Sequence, residues 1–220
     1  MCTNYVLIKK NGTAVLSDKL GVNPEQLIYK DNIRPGNQIS IVRESKEGRE
    51  ITTAIWWLFL RQTDQGLKPH PDYFSVNTNY AKLPKRPEFK RTRCIVPATA
   101  FVESQDGKNP HLLEPADGSA IAFGGLYKEW TDKTTGEIVY SASIITLRGH
   151  KSLEYIHRKS VPLWLPESAY DDWLNPNIND TEWFNDLLEP ALRTELKATP
   201  IDKVMSKNPI SDSFTIMRDG

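Results

Sequence analysis

Cysteine is nearly missing from this chain: Cys2 and Cys94 are the two among 220 residues. That excludes a disulfide framework, and neither cysteine falls at zinc-ligand spacing with any of the four histidines. No metal and no cofactor is therefore expected. Long apolar runs are missing as well, and nothing approaches the roughly 18 consecutive apolar residues of a membrane-spanning helix. The opening MCTNYVLIKKNG carries its lysines after its short apolar run, the reverse of an export signal. No membrane partner is expected, and a reduced, cytoplasmic location is. Glycine is scarce beside proline, 12 against 15, and prolines spread along the whole length disfavour long helices. Net charge is zero, with 28 basic and 28 acidic residues, so the chain as a whole has no pull on a polyanion. With 39% hydrophobic and 25% charged residues it reads as globular, and residues 1–220 read as one domain.

The charge that is present is unevenly placed. Residues 82–93 hold Lys82, Lys85, Arg86, Lys90, Arg91 and Arg93 against Glu88, six less one, or +5. Residues 165–198 hold eight acids against Arg193 and Lys197, or −6. Such a split suits a phosphate-facing edge and a solvated far side, although an ordinary solvated loop has the same look. Short apolar runs bounded by turn residues predict strands over Tyr5–Ile8, Ile39–Val42, Thr53–Leu60, Tyr73–Val76, Cys94–Glu103, Ala120–Tyr127, Ile138–Thr146 and Val161–Leu165. Turns are predicted at Lys10–Gly12, Arg34–Asn37, Glu47–Gly48, Asp106–Asn109, Asp117–Ser119 and Thr134–Gly136. Helices are predicted near Pro24–Tyr29 after an Asn23 cap, over Glu167–Leu174, over Thr181–Leu188 after Asn179 or Asp180, and more weakly over Pro190–Ala198. The expected class is α+β: mainly antiparallel β, a barrel-like or sandwich sheet with a few peripheral helices.

Cys2 is the most informative residue. Once Met1 is removed it is a terminal 1,2-aminothiol, whose amine has a reference pKa of about 7.7–8.0 and is substantially neutral at physiological pH. Such an amine attacks an aldehyde to give a Schiff base, and the neighbouring thiol can close a thiazolidine ring. Four segments carry polar residues where a strand pattern would prefer apolar ones: MCTN, FSVNTNY with Asn77, IVPATAFVES with Glu103, and LEYIHRKSVPLWLP with His157. Each has a plainer reading. Asn77 suits a strand end, Glu103 a surface position, and His157 a satisfied loop. His70, His111 and His150 read as surface residues, and Cys94 as core.

Together and in this order, the four segments resemble the SRAP (SOS response-associated peptidase) family. Its members begin Met-Cys and carry Asn-Ala-Arg-x-Glu-Thr, Arg-Cys-Leu-Ile-Pro-x-x-Gly-Phe-Tyr-Glu-Trp and Ile-His-x-Arg-Met-Pro segments. DNIRPGNQISIV, AIWWLFL, AIAFGGLYKEW, SASIITL and LKATPIDKVMSKNP extend the resemblance over nearly the whole chain. It implies a sensor of abasic sites in single-stranded DNA that loses Met1 by self-processing and crosslinks the lesion aldehyde through Cys2, with a lyase activity beside it. Cys2 is then nucleophile through nitrogen and sulfur, and Asn77 orients it. Glu103 shuttles protons, His157 protonates the sugar oxygen as the ring opens, and Thr146 is a secondary polar contact. Lys82, Lys85, Arg86, Arg91, Arg93, Arg158 and Lys159 are expected to meet phosphates, and Trp56 to offer a stacking face. Nucleoid association when bound to DNA and a monomeric state belong to the same expectation.

The resemblance has breaks. The family's Arg is Asn79 here and its Glu is Ala81, while Gly and Trp of the Glu103 strand are Ala100 and Ser104. Two further readings stay open. One is an N-terminal-nucleophile amidohydrolase or glutamine amidotransferase, which also begins Met-Cys and uses the free amine as base. The other is a catalytically silent DNA-binding member.

Overall fold

The computed structural model describes residues 2–105 and 107–220. Its strands, in chain order, are β1 Tyr5–Leu7, β2 Lys30–Ile33, β3 Gln38–Ser45, β4 Gly48–Trp56, β5 Leu60–Thr63, β6 Gly66–Pro69, β7 Asn77–Asn79, β8 Arg93–Ala98, β9 Ala100–Gln105, β10 Lys108–Pro115, β11 Ile121–Thr131, β12 Ile138–Arg148, β13 Ser160–Pro162, β14 Leu196–Pro200 and β15 Phe214–Ile216. The α-helices are α1 Asn11–Leu20, α2 Pro87–Arg91, α3 Glu154–His157 and α4 Tyr170–Leu174. Among the described residues no helix is long and apolar enough to cross a membrane.

Five strands close on themselves. β8 pairs with β3 and β11, β11 with β12, β12 with β4, and β4 back to β3. All these pairings are antiparallel except β4 with β12. Of the two expected forms it is the barrel. Closure demands close backbone approach on β11: a Cβ on Gly125 would sit 2.8 Å from the Ser143 carbonyl oxygen, while one on Gly124 would meet the side chain of Leu163, just past β13, at 2.5 Å. The far half of β12 also takes β7 in parallel and β13 antiparallel.

A second, six-stranded antiparallel sheet runs β15-β14-β10-β9-β1-β2. The two sheets are joined at Thr99. The run Cys94–Glu103 reads as one strand in sequence but is two, β8 in the barrel and β9 in the second sheet. Between them Thr99 donates its backbone N–H to the Val6 carbonyl at 2.7 Å, and its hydroxyl accepts the Ile8 N–H at 3.2 Å. The seam is aromatic: Tyr5 packs edge-on to Trp56 at 5.0 Å, and Phe123 meets Tyr5 at 6.5 Å and Phe101 at 5.7 Å. Each is buried, and a fully buried aromatic side chain contributes about 1.5–3 kcal/mol relative to exposure.

Several local expectations give way to tertiary context. Lys10–Gly12 is the start of α1 rather than a turn. Gly12 stands there because any Cβ would lie 2.3 Å from the Gly118 carbonyl oxygen. The helix buries Gly12, Thr13, Leu16, Ser17 and Leu20, a face so poor in large apolar residues that its period is faint in sequence. It ends at Gly21, left-handed with φ 67°. Tyr73–Val76 is irregular, and strand pairing begins only at Asn77. Pro190–Ala198 is not a helix, and β14 occupies its end. Asn23 and Asp180 do cap, accepting N–H bonds from Glu25 and Glu182, though the turns that follow are 3₁₀.

Candidate active site

The start of the chain is brought beside the other three segments by pairing. Tyr5 of β1 sits opposite Phe101 of β9, so Cys2–Asn4 run alongside the stretch that carries Glu103. The Asn4 carbonyl accepts the Val102 N–H at 2.9 Å and the Cys2 thiol at 3.7 Å. Parallel pairing of β7 with Ile144–Thr146, tied by the Thr78–Ser143 hydroxyl contact at 2.7 Å, delivers Asn77. Its amide nitrogen donates to the Cys2 carbonyl at 2.7 Å. α3 then supplies His157, whose Nδ1 lies 2.8 Å from the Ser104 carbonyl and 3.9 Å from Glu103 Oε2.

Cys2, Asn77, Glu103 and His157 therefore converge. Beside them opens a cleft of about 360 Å³ lined by Thr3, Asn4, Val102, Glu103, Ser104, Gly107, His157, Lys159 and Val204. Its electrostatics are unusual for a surface. Glu103 is 4% exposed, and burial pushes its carboxyl up to about 8, so it holds a proton at neutral pH. This corrects the plainer reading of Glu103 as a surface glutamate. Burial also holds the Cys2 thiol well above its ordinary range, with the Glu103 charge adding to the effect. The Ser104 carbonyl can only accept, so His157 turns an Nδ1 hydrogen to it, and its Nε2 lies 3.4 Å from the Ser160 hydroxyl. A carboxyl that gives and takes protons, a neutral thiol and an imidazole suit addition to a carbonyl followed by loss of water.

The other predicted residues divide. Lys159 lines the cleft. Lys82, Lys85, Arg91 and Arg158 are exposed, and Arg86 lies over the Phe59 ring at 4.8 Å. Thr146 is buried on β12 between Asn79 and Pro162. Two expectations are not met. Trp56 is fully buried against Tyr5, with its indole N–H on the Val76 carbonyl at 2.9 Å, and half-exposed Trp57 takes the outward place against Phe74. Arg93 is 3% exposed and spends its donors on the carbonyls of Phe89, Trp173 and Asn175. His150, expected at the surface, is buried with Nε2 3.1 Å from Asp219. Met1 lies outside the described residues.

Sequence reasoning passed over Asn4 and Asn32. The Asn4 amide nitrogen donates to Asn32 Oδ1, and the Asn32 amide nitrogen reaches the Met205 carbonyl at 3.4 Å and its sulfur at 3.1 Å. The signal was available, since Asn32 is the Asn of the Asn-x-x-Pro segment and Met205 lies in LKATPIDKVMSKNP.

The SOS response associated peptidase (SRAP) family profile matches residues 1–208. This chain is an SRAP protein. Among its relatives, the abasic site processing protein YobE of Bacillus subtilis (strain 168) is 27% identical over 149 residues, 64% of this chain and 67% of that protein. The abasic site processing protein YoqW of the same bacterium is 28% identical over 142 residues, 61% of this chain and 62% of its own length. A crystal structure of a protein from Bacteroides thetaiotaomicron superposes with a TM-score of 0.75 at 22% identity, covering 96% of this chain and 97% of that one, and so shares the fold. Where this SRAP protein lacks the family arginine, Asn79 does other work: its side chain accepts the Ala81 N–H at 2.9 Å and starts the 3₁₀ turn Tyr80–Lys85.

Proposed function

We propose that this SRAP protein processes abasic sites in single-stranded DNA by crosslinking the lesion to Cys2 as a thiazolidine, after Met1 is released by self-processing. The observation that carries the reading is the convergence of Asn77, Glu103 and His157 on Cys2 beside one cleft. The free amine of Cys2 adds to the aldehyde carbon of the ring-opened sugar. Protonated Glu103 delivers a proton to the departing hydroxyl, water leaves and the Schiff base forms. The thiol then adds to the imine carbon and its proton passes by way of Glu103 to nitrogen, closing the ring with net loss of one water. Asn77 fixes the Cys2 carbonyl throughout, and protonated His157 Nε2 serves the sugar oxygen at ring opening. Elimination from the Schiff base before sulfur closes is the lyase side reaction. Lys82, Lys85, Arg86, Arg91, Arg158 and Lys159 hold the phosphates, and residues 1–220 act as a monomeric single domain.

The test is a denaturing gel of wild type and Cys2→Ala with a single-stranded oligonucleotide carrying one abasic site. A borohydride-independent adduct with wild type and none with Cys2→Ala supports the reading. An adduct that survives in Cys2→Ala assigns the reaction to another nucleophile, and glutamine hydrolysis without any adduct moves the protein to the amidohydrolases.

A further inference from the structure

Asn4 sits one residue beyond the nucleophile's neighbour Thr3, lines the cleft and is 2% exposed, yet its Oδ1 has no hydrogen-bond partner among the described residues. A buried amide oxygen without a partner is uncommon, because it forfeits its hydration for nothing. Which end of the amide is left over follows from the chain of contacts behind it. The Met205 carbonyl and sulfur can only accept, so Asn32 turns its nitrogen to them and its oxygen to Asn4. That oxygen in turn fixes the Asn4 nitrogen. Asn4 is thus held with its nitrogen committed to Asn32 and its oxygen, unpaired among the described residues, beside the cleft.

We infer that Asn4 Oδ1 accepts the hydroxyl released when the abasic sugar opens, making Asn4 a specificity-determining residue for the open-chain form. The inference rests on the abasic-site reading above. In a closed abasic sugar the ring oxygen has no hydrogen. Opening breaks the bond between C1′ and the ring oxygen, moves the C1′ hydroxyl proton to a base and places a proton on the ring oxygen, giving an aldehyde at C1′ and a hydroxyl at C4′. The 3′ and 5′ oxygens are esterified within a strand, so the C4′ hydroxyl is the one hydroxyl donor the open sugar has. The closed form carries its hydroxyl on C1′, so an acceptor set at the C4′ side pairs with the open form alone, and disfavours aldehydes without a neighbouring hydroxyl.

The experiment compares crosslinking rates with two single-stranded oligonucleotides of the same sequence. One carries a natural abasic site, the other an acyclic aldehyde of the same reach without the hydroxyl. Asn4→Leu is expected to lower the natural-to-acyclic rate ratio about ten-fold, the worth of one neutral hydrogen bond. Asn32→Ala, which leaves the Asn4 amide present but unpinned, should lower it less. A ratio unchanged in both variants, whether the two rates fall together or neither moves, overturns the inference. That outcome is distinct from failure of the underlying reading, which would appear as wild type forming no adduct with either oligonucleotide.

Discussion

Among the described residues, the buried polar cluster around Arg93 contrasts with the one around Cys2. At Arg93 every nitrogen is engaged: Nε and both Nη nitrogens reach carbonyls at 2.6–2.7 Å, and the guanidinium lies 4.6 Å over the Phe184 ring. Its partners include carbonyls of α2 and α4, groups that a helix end leaves unbonded. It fastens those helices to β8, and although burial lowers its pKa to about 10 it stays charged at neutral pH. At Cys2 the bonding is left incomplete: Asn4 Oδ1 and Asn77 Oδ1 have no partner among the described residues, and Glu103 holds a proton because burial makes its charge expensive. A saturated cluster spends its polar groups on holding elements together. The unsaturated one keeps them for something that arrives.

The largest test of this contrast is Cys2→Ala, which should abolish crosslinking, to the limit of detection on a denaturing gel, with little change in thermal stability. Arg93→Met should do the reverse. Three stranded carbonyls should cost about 3–5 kcal/mol, a fall in Tm of roughly 10 °C by scanning calorimetry, while crosslinking per folded molecule below that temperature is retained. Glu103→Gln tests both properties. It should slow crosslinking about a hundred-fold by single-turnover kinetics and change the pH dependence of stability. The folded carboxyl ionises at about 8, well above its unfolded range. The folded state therefore binds more protons between roughly pH 4.5 and 8, and wild-type stability should fall as pH rises through that window. Urea unfolding at pH 5 and 8 should show a smaller fall in Glu103→Gln. The smallest effect is expected at the exposed cations: replacing Lys82, Lys85 and Arg91 by Gln should weaken capture of abasic DNA and flatten its salt dependence by about 0.7 in log–log slope per lost phosphate contact, read by anisotropy titration.

The candidate site residues were legible in sequence because each was an anomaly in a strand-like context: a polar Asn77, Glu103 or His157 where apolar neighbours set the pattern. Their order along the chain carried the family, while the short apolar runs left barrel and sandwich both open. Trp56 and Arg93 were misread because residue type cannot report the direction of a side chain. Trp56 and Trp57 are adjacent, and only the fold decides which ring meets Tyr5. Arg93 belongs by charge to the run 82–93, but as the first residue of β8 it turns inward. Helix α1 was hidden by the small residues that let it lie against Ser119. Asn4 was overlooked because its meaning depends on Asn32 and Met205, each remote in sequence.

Intact-protein mass spectrometry of wild type, alone and after mixing with the single-stranded abasic oligonucleotide, tests the central claim most directly. The account predicts loss of Met1 and an adduct equal to protein plus oligonucleotide less one water, stable without reduction. Processed protein that leaves the oligonucleotide unmodified would contradict it.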